Sequence, residues 1–329
     1  MKIKPFVVCA AFSAVTMSAA VQAQMMVKVD GSSTVYPVTE AVAEDYQKST
    51  QNKIRVTVGI SGTGGGFKKF CRGEIDVSNA SRPISKKEIA DCKASGVQFI
   101  ELPIAYDALT VVINPKNTWA RTMTVAQLKT IWEPVAQGKI TNWKQVNPEW
   151  PDRPLKLYGP GADSGTFEYF TEAVNGKSKA TRGDFTAAED DNVLVQGVSR
   201  DVGGLGYFGY AYYTENKDKL QAVAVAANGK APVAPSIESV VDGSYQPLAR
   251  PIFIYVNAKS AERPEVKAFV EYYMRHGEKL SKEVKYVPLP AKAYDYNLKH
   301  FAKRELGTKF DGENKVGLTI DALMKIEAK

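Results

Sequence analysis

The sequence predicts an α/β protein with mostly parallel β-sheets, because short strand-like and helix-like segments alternate along the chain. Residues 54–60 alternate apolar and polar side chains, which is the period of a strand. Before them, residues 34–48 space their apolar side chains as a helix does, and Phe67 and Phe70 begin another helix. Further short apolar runs continue the alternation at residues 26–29, 97–102, 108–113, 155–158 and 252–256.

Length and composition indicate a globular protein of two domains. The chain has 329 residues, of which 44% are hydrophobic and 24% are charged. The net charge is +7, but lysine and arginine are scattered, so we expect small anions rather than nucleic acid as partners. Only His276 and His300 are present, which leaves little material for a catalytic histidine or a metal centre. The sequence predicts no metal and no cofactor.

The first 23 residues are typical of a secretory signal peptide. Lys2 and Lys4 precede an apolar stretch at residues 6–20, and Val21-Gln22-Ala23 places small residues before a cut after Ala23. The apolar stretch is too short and too rich in hydroxyl residues for a membrane anchor. We therefore expect a periplasmic protein, residues 24–329, without a lipid-carrying cysteine at its start.

Two cysteines, Cys71 and Cys92, remain after signal removal. An even pair in an oxidising compartment predicts a disulfide, and two buried free thiols are the alternative. Metal ligands are missing from the neighbouring sequence, which disfavours a metal site there.

Three turns rich in glycine and hydroxyl residues each precede a predicted helix. They are Asp30-Gly31-Ser32-Ser33-Thr34, Ser61-Gly62-Thr63-Gly64-Gly65-Gly66 and Gly161-Ala162-Asp163-Ser164-Gly165-Thr166. A helix N-terminus exposes N–H groups and partial positive charge, so such a turn can hold an oxyanion. Any one serine or threonine there could simply cap its helix. Three turns of the same design in one chain favour an oxyanion site.

Arg82 is the arginine that the sequence singles out for this site. It lies between Ser81 and Pro83, and the proline biases it away from helix, to a strand end where a guanidinium could bind an oxyanion through two hydrogen bonds. The alternative is a solvated surface arginine.

Other motifs fit less well. Residues 61–66 lack the Lys-Ser/Thr pair of a nucleotide phosphate loop. Residues 204–209 match G-x-G-x-x-G, but no clear strand precedes them and the aromatic residues 210–213 do not suggest a helix opening. Ser164 stands fourth rather than third in its turn, unlike a hydrolase nucleophile elbow.

Taken together, the chain resembles the extracytoplasmic phosphate-binding proteins that supply ATP-driven (ABC-type) phosphate importers. The resemblance is carried by Gly31-Ser32-Ser33-Thr34, by Gly59-Ile60-Ser61-Gly62-Thr63-Gly64-Gly65 and by Asp163-Ser164-Gly165-Thr166, with support from residues 76–84 and 104–107. It extends from about residue 26 to the C-terminus. It implies a two-lobed (type II) binding-protein fold with two hinge crossings, expected near residues 106–109 and 254–257. Lobe one would comprise residues 24–107 and 256–329, and lobe two residues 108–255.

The resemblance also implies a ligand set for buried phosphate. Matched by motif, it comprises Ser33, Thr34, Ser61, Ser164, Gly165 and Thr166. The chain departs from the family pattern in two places. The family has an arginine shortly before Ser-Gly-Thr, where this chain has residues 158–161 without an arginine. The family also has an aspartate before the proline, where this chain has Ser81-Arg82-Pro83. We therefore expect Arg82 to supply the guanidinium, and Asp163 or, second, Asp107 to accept the phosphate proton.

The expected function is capture of inorganic phosphate by a monomeric, non-enzymatic protein that delivers it to a membrane permease. A binding protein for sulfate or another tetrahedral oxyanion is the nearest alternative, and a carboxylate in the site would separate the two, because sulfate carries no proton near neutral pH. An exported serine hydrolase or phosphatase that uses Ser164, and an adhesion protein, are alternatives of other classes.

Overall fold

The computed structural model describes residues 25–227 and 229–327. The predicted signal segment and its cleavage point lie outside the described residues. The strands are β1 (Met25–Gly31), β2 (Ile54–Val58), β3 (Val77–Ala80), β4 (Phe99–Ile113), β5 (Thr122–Thr124), β6 (Lys156–Pro160), β7 (Thr186–Ala188), β8 (Gly204–Gly209), β9 (Gln221–Ala222), β10 (Ala224–Ala226), β11 (Ala249–Asn257) and β12 (Val287–Pro288).

Helices connect most of these strands, as the alternating pattern predicts. They are α1 (Tyr36–Ser49), α2 (Gly62–Cys71), α3 (Lys86–Ala94), α4 (Val125–Trp132), α5 (Gly165–Asn175), α6 (Asp191–Arg200), α7 (Tyr210–Glu215), α8 (Ile237–Val241), α9 (Pro264–Glu283), α10 (Ala291–Lys303) and α11 (Ile320–Glu327). The G-x-G-x-x-G match is strand β8 itself, so its glycines form no phosphate turn, although a short helix does begin at Tyr210.

The main sheet has two parallel halves joined by antiparallel strands. Its order is β2-β1-β3-β11-β4-β8-β6-β7. The neighbours β2, β1 and β3 are parallel, and so are β8, β6 and β7, whereas β11 and β4 run antiparallel to their neighbours. The α/β prediction is confirmed, with one half of the sheet in each of two lobes.

Strand β4 belongs to both halves. The sequence suggested two separate apolar runs here, but Phe99–Ile113 is a single buried strand. Its first part pairs with β11, with an irregularity at Pro103 and Ile104, and its last five residues pair with β8. Proline lacks the N–H that a regular ladder needs, which accounts for the irregularity at this point.

Strand β11 lies entirely beside β4 and, from Phe253 to Val256, also beside β3. The expected hinge crossing at residues 254–257 is therefore not supported, because these residues are embedded between two strands of the first half. An apolar run is compatible with a hinge and with a central strand, so the sequence alone could not distinguish the two.

Aromatic contacts anchor the two helices that follow the second and third turns. In α2, the ring of Phe67 packs edge-on against Tyr255 of β11, with ring centroids 4.9 Å apart. In α5, Phe170 stacks on Tyr207 of β8 at 3.8 Å. Such pairs add about 0.5–1.5 kcal/mol each beyond burial of apolar area. They hold the N-termini of both helices in fixed positions.

The predicted disulfide is confirmed: Cys71 at the end of α2 is bonded to Cys92 in α3. We expect the double variant Cys71→Ser, Cys92→Ser to lose about 3 kcal/mol of unfolding free energy, since the bond closes a loop of about 20 residues. Urea unfolding under non-reducing conditions measures this. Thiol titration of the denatured wild type should find no free thiol in residues 24–329, and two thiols per chain would contradict the bond.

Candidate functional site between the lobes

The hydroxyl groups of the first turn do not cap helix α1. Helix α1 has Val35 at its N-cap and receives no side-chain cap. Thr34 is fully buried, and its Oγ1 lies 2.7 Å from Oγ1 of Thr166 in the other lobe. Ser33 Oγ lies 3.5 Å from a carboxylate oxygen of Asp191, also in the other lobe. The hydroxyl groups of this turn therefore face lobe two.

The second turn differs from the prediction, because α2 begins at Gly62 and not at Phe67. Its glycines are inside the helix, and two of them are packed too closely for a side chain: a Cβ would lie 2.6 Å from the carbonyl oxygen of Asp163 at Gly62 and 2.6 Å from Cα of Gly31 at Gly66. The amide of Gly64 donates to the carbonyl oxygen of Asp163 at 2.7 Å, which ties the helix to the third turn. Close packing thus overrides the low helix propensity of glycine.

Ser61 uses its hydroxyl locally. Its Oγ donates to Oδ1 of Asp30 at 2.6 Å, and Lys69 pairs with the other oxygen of the same carboxylate. The hydroxyl proton of Ser61 is therefore held within lobe one in this structure.

In the third turn, Ser164 is both buried and a helix cap. Its Oγ accepts from the amides of Thr166 and Phe167 at 3.1 and 3.3 Å. A capping hydroxyl still has a proton to donate. Gly165 next to it closes against lobe one, since a Cβ there would lie 2.5 Å from Oγ1 of Thr63 and from Oγ of Ser81.

Arg250 is the arginine at which the first and third turns meet. It is 1% exposed on β11, and its Nη2 donates to Oγ1 of Thr166 at 2.6 Å and lies 3.5 Å from Oγ1 of Thr34. Its Nη1 donates to the carbonyl oxygen of Gly165 at 2.9 Å. Asp107 lies directly opposite on β4 and pairs with Nη2 at 3.4 Å. A buried guanidinium thus reaches hydroxyl groups of both lobes.

Two buried carboxylates share this region with that single guanidinium. Burial raises the pKa of Asp107, and the charge of Arg250 opposes this rise. Burial, with the charge of Asp107 second, raises the pKa of Asp191 to about 7. Desolvation disfavours the charged form of a carboxyl group, which explains both directions.

Arg82 is close to the site but is used for another purpose. Its guanidinium forms two hydrogen bonds of 2.8 Å with Glu88, and its Nε pairs with Glu168 of α5. Burial acts to lower the pKa of Arg82, but the carboxylates of Glu88 and Glu168 outweigh it and raise the pKa. The expected role in oxyanion binding is therefore not supported by its contacts. The carboxylates come from positions six and 86 residues away, and neither was paired with Arg82 in the sequence interpretation.

Of the two expected proton acceptors, only Asp107 lies in the buried cluster. The side chain of Asp163 is 38% exposed, and both of its oxygens accept from Nζ of Lys68, at 2.8 and 2.9 Å. This pair links the lobes at the surface. A solvated carboxylate that is already paired with lysine is poorly placed to accept a proton from a buried anion.

The hydrolase alternative finds no support in the geometry. Among the contacts of the described residues, Ser164 has no histidine or carboxylate base. His276 stacks on Tyr272, and His300 pairs with Glu305. Within residues 25–227 and 229–327, three or more His, Cys, Asp or Glu nowhere come together as a potential metal site.

Four residues of this region were missed by the sequence interpretation: Arg250, Asp191, Thr63 and Ser81. Arg250 carried a usable signal, because a lone charge stands before Pro251 in an otherwise apolar run. Asp191 follows Asp190 at a helix start, where acidic residues are common for reasons of capping alone.

Comparisons with known proteins identify the family of the chain. A PBP superfamily domain matches residues 14–276. Protein SphX of Synechococcus elongatus is 55% identical over 303 residues, which cover 92% of this chain and 89% of SphX. Phosphate-binding protein PstS of Staphylococcus saprophyticus is 40% identical over 271 residues and 82% of each chain.

Two solved structures have the same architecture. One is a Planctomyces limnophilus protein, identified as a possible phosphate binding protein: it is 47% identical, with a TM-score of 0.62 over 85% of this chain and 98% of its own. The other is a Clostridium perfringens substrate-binding protein with bound phosphate: it is 25% identical, with a TM-score of 0.68 over 80% of this chain and all of its own. The chain belongs to the PBP superfamily and, within it, to the PstS-like phosphate-binding proteins, which are binding proteins and not enzymes.

Proposed function

We propose that this protein captures inorganic phosphate between its lobes and delivers it to the membrane permease of an ABC importer. The observation that carries the proposal is the buried Arg250, whose guanidinium reaches Thr34 in one lobe and Thr166 in the other. Hydrogen bonds between an arginine and an oxyanion are strong and directional, especially away from water. An anion that accepts hydrogen bonds from this guanidinium and from both threonine hydroxyl groups would hold the two lobes together.

The ligand set that we propose combines the motif residues with Arg250 in place of Arg82. Hydroxyl or amide groups from both lobes would bind the anion: Ser33, Thr34, Ser164, Gly165 and Thr166. Ser61 would order the start of α2 through Asp30 and would contribute through its backbone. Helices α1, α2 and α5 each begin at one of these turns. The partial positive charge of their N-termini would stabilise a bound anion.

Phosphate fits the buried charges better than sulfate. Asp107 and Asp191 are both buried; Asp107 pairs with the guanidinium, and the charge of Arg250 also acts on Asp191. A carboxylate repels a fully deprotonated anion but can accept a hydrogen bond from an anion that retains a proton. Hydrogen phosphate retains one near neutral pH, and sulfate does not.

We propose lobes that follow the strand pairing: residues 25–108 with 249–327 form the first, and residues 109–248 the second. The crossings then lie within β4 and before β11. We also propose that the protein is a monomer and that it is exported with cleavage after Ala23. Export is consistent with its extracytoplasmic family. Over the part of the chain that the structure describes, every helix is too short or too polar to cross a bilayer.

Calorimetric titration of residues 24–329 with phosphate and sulfate, side by side at about pH 8, tests the function. We expect one phosphate per chain, and sulfate weaker by roughly 100-fold or more, because the site places a carboxylate against the anion. Equal affinities would contradict the assignment to phosphate. Absence of heat with phosphate, in a protein shown to be folded, would contradict the proposed function itself.

A further inference from the structure

We propose that Tyr169 positions the guanidinium of Arg250 for the anion: its hydroxyl holds the backbone next to that arginine, and its ring holds the guanidinium itself. This inference rests on the proposed function and deepens it, because it assigns a residue that acts through a ligand rather than as one. Tyr169 lies outside all three motif turns. Its role follows from the contacts of its ring and of its hydroxyl.

The ring of Tyr169 lies on the face of α5 that meets Arg250. Tyr169 is 1% exposed and stands four residues after Gly165 and three after Thr166, so the three share one side of the helix. Gly165 and Thr166 accept hydrogen bonds from the guanidinium. The Cζ atom of Arg250 lies 5.3 Å from the centre of the Tyr169 ring. A guanidinium this close to an aromatic ring is attracted to it, and more strongly away from water, so the ring adds to the grip of α5 on the arginine.

The hydroxyl of Tyr169 holds the backbone just before Arg250. Its oxygen lies 2.9 Å from the carbonyl oxygens of both Pro247 and Ala249, and it can donate its proton to either. Ala249 directly precedes Arg250, so its carbonyl belongs to the peptide group that contains the amide of the arginine. A shift of this peptide group would move the Cα atom of Arg250 and the side chain with it. The hydroxyl thus fixes the base of the side chain whose far end meets the ring.

The C-terminal part of the chain holds the same hydroxyl from the other side. The amide of Gly317 donates to it at 3.0 Å. The next residue, Leu318, accepts at its carbonyl oxygen from the hydroxyl of Tyr106 of β4 at 2.9 Å. Burial raises the pKa of Tyr169 to about 12, against the hydrogen bond from Gly317 and the charge of Arg250. The hydroxyl therefore keeps its proton near neutral pH, and it accepts one hydrogen bond while it donates another.

The orientation of the guanidinium depends on this support. The planar fork of an arginine binds an oxyanion well only when its N–H groups point at the oxygens, whereas the ammonium of a lysine is a point charge with rotatable donors. A group that is held in its binding orientation also loses less freedom when the anion arrives. Substitution of Tyr169 should therefore weaken phosphate binding chiefly where residue 250 is arginine.

The test is calorimetric titration with phosphate of Tyr169→Phe and Tyr169→Leu, each made in wild type and in Arg250→Lys. We expect Tyr169→Leu to weaken phosphate binding by roughly 10- to 100-fold in wild type, because it removes both the ring and the hydroxyl. Tyr169→Phe keeps the ring and loses one hydrogen bond, so its loss should be smaller, roughly three- to tenfold. In Arg250→Lys, each substitution should cost no more than about twofold, since two residues that act together are not additive.

The matched control is Tyr294→Phe. Tyr294 is 4% exposed on α10, and its hydroxyl donates to the carbonyl oxygen of Ile104 at 2.6 Å. This variant therefore loses the same kind of buried hydrogen bond without touching Arg250, and its phosphate affinity should stay within about twofold of wild type. Thermal unfolding verifies that each variant is folded, and Tyr169→Phe decides the test if Tyr169→Leu does not fold.

The outcomes separate this inference from the proposed function. If wild type binds phosphate and folded Tyr169 variants stay within about twofold of it, the positioning role is refuted and the function stands. Equal losses in the arginine and lysine backgrounds would also refute it, because a merely structural role does not depend on residue 250. A loss in Tyr294→Phe as large as in Tyr169→Phe would refute it as a general cost of removing a buried hydroxyl. Failure of wild type to bind phosphate would refute the function.

Discussion

Replacing Arg250 with alanine is expected to weaken phosphate binding by roughly 30- to 3,000-fold, because truncating one partner of a buried charge pair costs about 2–5 kcal/mol. The side chain is 1% exposed and donates to Thr166 and to the carbonyl oxygen of Gly165. Its loss would also leave Asp107 buried without a cation, beside the anion. Arg250→Lys should recover only part of the affinity, since an ammonium group does not reproduce the planar fork. Calorimetry with phosphate measures both variants.

The matched control is Arg121→Ala. Arg121 is exposed on the surface, so this variant makes the same change in net charge without touching the cluster. We expect its phosphate affinity to stay within about twofold of wild type, as for an ordinary surface substitution. If Arg250→Ala binds phosphate as well as Arg121→Ala does, Arg250 is not a ligand, and the proposed site is wrong.

Replacing Arg82 with alanine is expected to act chiefly on stability. The guanidinium is 6% exposed and holds two carboxylates, Glu88 and Glu168. Removing one member of a buried ion pair costs about 3–5 kcal/mol, because it leaves the partner charge uncompensated. In a chain of this length, each kcal/mol of lost stability lowers the unfolding temperature by about 2–4 °C, so we expect a decrease of roughly 6–20 °C. Phosphate affinity should fall by much less than in Arg250→Ala.

Arg72→Ala is the control for this experiment, since Arg72 pairs with Glu74 at the surface, where both side chains are at least half exposed. Water screens an exposed ion pair, so the unfolding temperature of Arg72→Ala should barely change. If Arg82→Ala leaves the unfolding temperature unchanged and loses as much phosphate affinity as Arg250→Ala does, Arg82 is the phosphate ligand after all.

The fold and the three turns could be predicted because they depend on local sequence. Strand and helix periods are properties of neighbouring residues, and so is the cap that Ser164 forms on α5. The start of α2 could not be predicted in this way. Its glycines disfavour helix, and only the tight approach of Gly66 to Gly31 shows why side chains are excluded there.

The charged part of the site depends on contacts between distant parts of the chain. Arg250 and Asp107 are 143 residues apart, and they meet only through the antiparallel register of β11 and β4. Arg82 met the local criteria for an oxyanion ligand, yet Glu168 reaches it from the other lobe. Local sequence identifies which groups are present at a strand end, but the register and the closure of the lobes decide which partners they have.

A crystal structure of residues 24–329 with phosphate tests the central claim most directly. The account predicts one anion between the lobes, within hydrogen-bond distance of Thr34, Thr166 and the guanidinium of Arg250. It also predicts that Arg82 remains paired with Glu88 and Glu168. An anion bound away from Arg250, or one held by Arg82 in place of its carboxylates, would contradict the account.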